Sequence, residues 1–230
     1  AGLAVLPWDE EALGLRARLA LLHEHLGEPW PDMSDAALAE RAEEWLAPAV
    51  ASLAGQAAGS SGTGRSGESA SGSGSRRFSL ERLDVAQALR ALLPWPQAGR
   101  LDELVPERIE VPSGSQVRVD YTAAVGGSAG AAGSADPAEI GRAGRPVLAV
   151  RVQECFGWAA TPRIVEGRVA VLLHLLSPAR RPVAVTGDLA SFWEQGYPQV
   201  RAEMRGRYPK HAWPEDPWNA PATRGTGRRR

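Results

Sequence analysis

The sequence predicts an α+β fold: an N-terminal helical hairpin and short helices, then a small antiparallel sheet with packed helices. Three observations predict it. Apolar residues recur at helical spacing through roughly the first hundred positions. From Glu107 the apolar period falls to that of a half-buried strand, about 2. Helical spacing then returns after Asp188 and carries on to Arg207.

The first helix is read from Leu15, Leu19, Leu22 and Leu26, spaced 4, 3 and 4 apart after Pro7-Trp8-Asp9. Gly27 and Pro29 end it. Ser34 is placed to cap a second helix with Leu38, Ala42, Trp45, Leu46 and Ala49 on one stripe, and Pro48 is expected to kink it or end it near Ala47. Residues 55–75 hold no large apolar side chain and are expected to be a flexible linker, because they cannot offset their own ordering entropy. A third helix is predicted over Leu80, Leu83 and Leu89–Leu92, stopped at Pro94, and a short fourth over Gly99–Val105.

Ile109 and Val111, then Val117, Val119 and Tyr121, alternate with polar residues around Pro112-Ser113-Gly114 and predict a β-hairpin. A second low-complexity stretch covers 124–144. The run VLAVRVQECFG fits either a helix ended by Gly157 or a strand; the spacing of Leu148, Val152, Cys155 and Phe156 favours the helix. Glu166-Gly167 signals a turn, 168–176 one long apolar strand, 177–181 a turn and 182–186 a returning strand. Asp188 can cap a helix carrying Leu189, Phe192 and Trp193, and another helix is expected from about Pro198 to Arg207. The expected organisation is an acidic helical segment (1–54), a Gly/Ser-rich linker (55–77), an α+β domain (78–218, with 124–144 as a loop insertion) and a basic disordered tail (219–230).

Composition narrows the function classes. A chain of 230 residues with 43% apolar and 23% charged content reads as a soluble globular protein. No window approaches a membrane-spanning run and no signal peptide is evident. The chain begins Ala1-Gly2, which suggests an excised piece of a longer protein. A single cysteine, Cys155, fits a reducing cytoplasm and reads as a small buried hydrophobe. Charge is unevenly placed: residues 1–54 carry ten acidic and three basic residues, whereas 201–230 carry eight basic and three acidic ones. That asymmetry points to an interaction surface at the basic end.

Catalytic and cofactor motifs fail one by one. Lys210 is the only lysine and stands between Pro209 and His211, so no Gly-Lys-Ser/Thr phosphate loop exists in this chain. A G-x-G-x-x-G match at 62–67 and a G-x-S-x-G match at 126–130 both fall in low-complexity sequence, without the strand and helix that either motif requires. His23 and His25 are two apart on a helix and face different sides, and His174 sits in an apolar strand, so no metal site is expected. His211 with Glu215 and Asp216 has the composition of an acid/base group, but Trp213-Pro214 favours an extended segment pinned by aromatic packing. Arg118, Arg180, Arg181, Arg205, Arg207, Lys210 and Arg224 remain as candidate nucleic-acid contacts, with Tyr208 and Trp213 interleaved for stacking. A solvated helix face with a frayed basic tail accounts for the same composition.

GLAVLPW (2–8), EEWLAP (43–48), LLPWP (92–96), LDELVPERIEVPSGSQVRVDY (101–121), RPVLAVRVQECFG (145–157), GRVAVLLHLLSPARRPVAVTGDLASFW (167–193) and MRGRYPKHAWPEDP (204–217) together resemble, in order, the C-terminal region of bacterial HrpB-type ATP-dependent helicases of the DEAH-box class. The resemblance implies a non-catalytic accessory region of an RNA helicase. On that reading ATP and Mg²⁺ belong to motor domains upstream in the same polypeptide, and no cofactor belongs to this chain. Single-stranded RNA is the implied ligand, with a protein partner as the alternative: the acidic helical half would then dock through Trp8, Trp30, Trp45 and Trp95. Two departures from the family stand out. Gly187 occupies a position usually basic, and the tail reads PATRGTGRRR.

Overall fold

The computed structural model describes residues 3–59, 80–122 and 145–226. Most of the predicted linker, the stretch 124–144 and the last four residues lie outside them. Contacts divide the chain into two units, 1–99 and 100–230.

The first unit is helical. Helix α1 (Glu10–Leu26) begins at Asp9, whose side chain accepts from the Ala12 N–H, and ends at Gly27 with φ 67°. Its Leu15, Leu19 and Leu22 are buried as the spacing requires. The second predicted helix is two. Helix α2 (Asp35–Glu40) is capped by Ser34, and α3 (Ala42–Gly59) starts after a break at Arg41. Pro48 neither ends α3 nor confines it to the predicted span. The carbonyl that Pro48 leaves unpaired belongs to Glu44, and both residues are exposed, so water can take the bond. The expected linker therefore begins later than residue 55, because α3 continues to Gly59. Helix α4 (Val85–Arg90), capped by Asp84, packs against both α1 and α3, and its Val85, Ala86, Ala88 and Leu89 are buried. Trp45 is fully buried and donates to the Leu38 carbonyl at 3.0 Å. Helix α5 (Trp95–Leu104) starts four residues before the predicted fourth helix.

The second unit is built on a five-stranded sheet. Its strands are β1 (Arg108–Glu110), β2 (Gln116–Asp120), β3 (Val147–Arg151), β6 (Leu172–Leu176) and β7 (Pro182–Thr186), in the order β1-β2-β3-β6-β7. A separate two-stranded ribbon joins β4 (Arg163–Ile164) to β5 (Val169–Ala170). The long strand expected over 168–176 is thus β5 and β6, interrupted at Val171. The sheet is antiparallel except between β3 and β6, which run parallel, and residues 152–171 form the crossover that such a pair needs.

The preference for a helix at 147–156 is corrected. This run is strand β3 followed by a single 3₁₀ turn over Val152–Glu154. In β3 Leu148 and Val150 share the buried face, but the opposite face also carries apolar residues, Val147 and Ala149, so the sequence shows no period of 2 and imitates a helix. Pro146 also biases Arg145 toward extended backbone.

After β7, Asp188 caps the short helix α6 (Leu189–Ser191), which passes through a π-turn (Phe192–Gly196) into α7 (Tyr197–Arg207). Phe156, Phe192, Trp193 and Tyr197 form one aromatic cluster with ring centroids 5.1–6.4 Å apart. Trp193 places its indole N–H on the Trp158 carbonyl at 2.9 Å, so the cluster has no unsatisfied polar edge.

Candidate nucleic-acid interface

The segment after α7 decides which basic side chains are available. Tyr208 ends the helix, its N–H on the Met204 carbonyl at 2.7 Å, and His211 closes a turn by donating to the Tyr208 carbonyl at 3.1 Å. The same carbonyl accepts the Trp213 indole N–H at 3.0 Å, which folds the chain back along the helix. Arg201 then holds the returning segment, its Nε on the Trp213 carbonyl at 2.9 Å and its Nη2 on Glu215 at 3.0 Å. Tyr197 adds its hydroxyl to the Pro214 carbonyl at 2.9 Å.

The strap continues past the expected end of the domain. Gly157 donates to Pro217, Thr223 donates to Gln153, and Arg224 Nε donates to the Ser113 carbonyl, each at 2.9 Å. The described part of the predicted disordered tail, 219–226, is therefore tied down at Thr223 and Arg224. Its backbone groups and guanidinium find partners that a composition-based reading cannot see. Gly114, with φ 76°, leaves room for Arg224; a Cβ there would lie 2.8 Å from the guanidinium.

The seven candidate residues consequently separate. Arg224 is engaged by the hairpin turn. Arg118 stands exposed on β2, with Arg108 as its cross-strand neighbour. Sequence reading missed Arg108, although laying the hairpin out around Pro112-Ser113-Gly114 brings the pair together. Arg180 (φ 60°) and Arg181 are exposed in the β6–β7 turn, where the Arg181 N–H donates to the Ser177 hydroxyl at 3.1 Å and its carbonyl accepts from the Ser177 N–H at 2.8 Å.

Arg205 and Arg207 occupy the last turn of α7, where the helix dipole favours cations. They face different ways. Arg205 continues the stripe of Arg201, four residues apart, whereas Arg207 belongs with Val200, Glu203 and Met204. Arg207 and Arg181 line one groove of about 160 Å³ between α7 and the β6–β7 turn, together with Ser177, Val183 and Tyr208. Among the described residues Arg207 makes one ion pair, a loose one, 3.8 Å to Glu203, with both side chains 60% exposed. Lys210 is exposed two residues beyond Tyr208.

No acid/base group forms around His211. Glu215 is held by Arg201, and Asp216 accepts from the backbone of Trp218 and from Asn219. Burial, and secondarily Arg151, hold the His211 imidazole below its ordinary range, which favours its neutral form. Among the described residues, no group of three or more metal-ligating side chains is present. Burial pushes the Cys155 thiol up, which makes it an inert core residue.

Comparison with known proteins places this geometry. Residues 70–217 match the protein family described as ATP-dependent helicase C-terminal. The chain belongs to that family. Over 229 residues it is 40% identical to the ATP-dependent RNA helicase HrpB of Escherichia coli, covering 98% of this chain and 23% of that protein. The crystal structure of the E. coli DExH-box NTPase HrpB superposes with a TM-score of 0.72 at 39% identity, over 97% of this chain and 23% of the other. A second crystal structure, of the E. coli DEAH/RHA helicase HrpB, gives a TM-score of 0.62 at 37% identity over 92% and 22%. The chain thus spans about a quarter of the length of these relatives. The α+β architecture is that of the helicase C-terminal family, and no helix among the described residues is long and apolar enough to cross a membrane.

Proposed function

We propose that this chain is the non-catalytic accessory region of an ATP-dependent RNA helicase and that it helps the motor hold single-stranded RNA. Motor domains in the same polypeptide would bind ATP and Mg²⁺, since this chain's one lysine is outside any phosphate-loop motif. The observation that carries the reading is the state of four cations in the second unit. Arg180, Arg181, Arg205 and Lys210 are all exposed and none has an ion-pair partner among the described residues. Burying them against a phosphate backbone would release counterions, which supplies sequence-independent affinity. The test is affinity for a single-stranded RNA oligomer against salt concentration, for the wild-type chain and an Arg205/Arg207/Lys210 alanine variant. Measurable binding at low salt, with a shallower salt slope in the variant, supports the reading; no binding, or an unchanged slope, overturns it.

A docking role is supported by a different residue. Trp30 and Trp45 are core residues at 4% and 0% exposure, but Trp95, between Pro94 and Pro96, is 89% exposed. Tryptophan in that state is a common interface anchor. Trp95→Ala should then weaken capture of a separately expressed motor without altering the unfolding midpoint, and equal capture by the variant would remove this role.

A further inference from the structure

The groove between α7 and the β6–β7 turn carries more than the general reading. We infer that it is a one-nucleotide subsite for single-stranded nucleic acid, in which Arg181 and Arg207 take the phosphate and the Tyr208 ring takes the adjoining base. The inference rests on the proposed role in RNA engagement and names where that engagement happens.

Size is the first argument. At about 160 Å³ the groove is well below the few hundred cubic ångströms of a cofactor pocket, so it suits a piece of a longer ligand. Chemistry is the second. Two arginines reach it from two different elements, and guanidinium forks match phosphate oxygens in a way a single ammonium does not. Each is prepared for the task. The Arg181 backbone is fixed at both its N–H and its carbonyl by Ser177, itself buried. Arg207 sits at a helix C-terminus, with only the loose 3.8 Å approach to Glu203 to exchange for a phosphate. Glu203 lines the same groove, which leaves its floor only mildly positive and limits it to one anionic group.

The aromatic is the third argument, and it separates RNA from an acidic protein segment. Tyr208 is half-buried and lines the groove beside Arg207. Its backbone is locked by the helix end on one side and by Trp213 on the other. A fixed aromatic beside a phosphate site is the arrangement by which single strands are held without sequence preference. Lys210, exposed just past the turn, extends positive charge from the groove along one direction.

The experiment uses the full 230-residue chain and oligouridylate, read by fluorescence anisotropy over a salt series. The Arg181→Ala/Arg207→Ala variant should lose about tenfold or more in affinity and about 0.7 in salt slope for each phosphate contact removed. Tyr208→Leu should lose about five- to a hundredfold with the slope unchanged, while Tyr208→Phe keeps wild-type affinity. Arg205→Ala, on the neighbouring stripe, should cost less affinity than Arg207→Ala. Thermal melts followed by tryptophan fluorescence identify any variant that is simply unfolded; the Phe exchange and the slope readout stand even if Tyr208→Leu is. If the wild type binds but the double arginine variant binds equally, or if Arg205→Ala costs as much as Arg207→Ala, the subsite is wrong and the wider role survives. If polyglutamate competes as well as oligouridylate at equal charge, the nucleic-acid assignment is wrong. No binding by the wild type removes both.

Discussion

Glu154 shows how one side chain sets the platform for the basic face. It is 6% exposed, paired with Arg151 at 3.0 Å, and accepts from the Ser115 hydroxyl at 2.7 Å and the Ser113 hydroxyl at 3.3 Å. Burial alone would push its carboxyl up; Arg151 and the two serines outweigh that and hold it below the usual carboxylate range. A lowered value in the folded state means that the unfolded chain binds the proton more readily. The stability Glu154 contributes is therefore complete above the ordinary glutamate value, about 4.3, and is lost as pH falls through the lower folded value. Glu154→Ala should cost about 1–3 kcal/mol at neutral pH, by leaving Arg151 and the serines without their acceptor, and should flatten the acid limb of a urea-midpoint against pH profile. At the other end of the same turn, Arg224→Ala should raise amide exchange around Gly114 and Ser115 while leaving RNA affinity within about twofold, because its guanidinium already serves the Ser113 carbonyl. Nothing in the sequence distinguishes Arg224 from Arg205 or Lys210. Which arginines are spent on the fold is decided by residues more than a hundred positions away, and only the folded chain brings them together.

Elements with local signals were legible. Ser34 and Asp188 cap the helices they precede, and Pro112-Ser113-Gly114 places the β1–β2 register. Elements whose state depends on neighbours were not. Strand β3 hides its alternation because Val147 and Ala149 are apolar on the face opposite Leu148 and Val150, and the parallel β3–β6 pair is invisible to any local pattern. The π-turn at 192–196 is a similar case: the sequence reads as two separate helices, yet the turn joins them, and Gly196 permits something a larger residue would not. A Cβ there would lie 2.8 Å from the Phe192 ring, which is 7% exposed and packed between Trp193 and Tyr197. Gly196→Ala should accordingly cost about 1–3 kcal/mol by overpacking, despite the better helix propensity of alanine. A chemical-denaturation midpoint measures it, and a variant as stable as wild type would mean that the ring can move aside.

Across the molecule, charge follows the two units more cleanly than it follows the termini. Residues 1–99 carry thirteen acidic and eight basic side chains, net −5, whereas 100–230 carry fourteen acidic and eighteen basic, net +4. A near-zero total therefore conceals two surfaces of opposite sign, and only one suits a polyanion. Among the described residues of the first unit, three cations are used internally. Arg16 donates to the Met33 carbonyl and pairs with Asp35, Arg41 pairs with Glu44, and Arg90 reaches Glu11 at 2.7 Å. In the second unit Arg180, Arg181, Arg205 and Lys210 have no such claims on them among the described residues, and Arg207 has the loose approach to Glu203. Ultraviolet crosslinking of the whole chain to a single-stranded RNA oligomer should therefore yield labelled peptides from 100–230, concentrated around 177–183 and 203–211. Peptides from α1 to α4 should remain unlabelled at every salt concentration where binding is measurable. Labelling that fell mainly in the acidic unit would mean that RNA is held by aromatic contacts there, and that the basic groove is solvated surface.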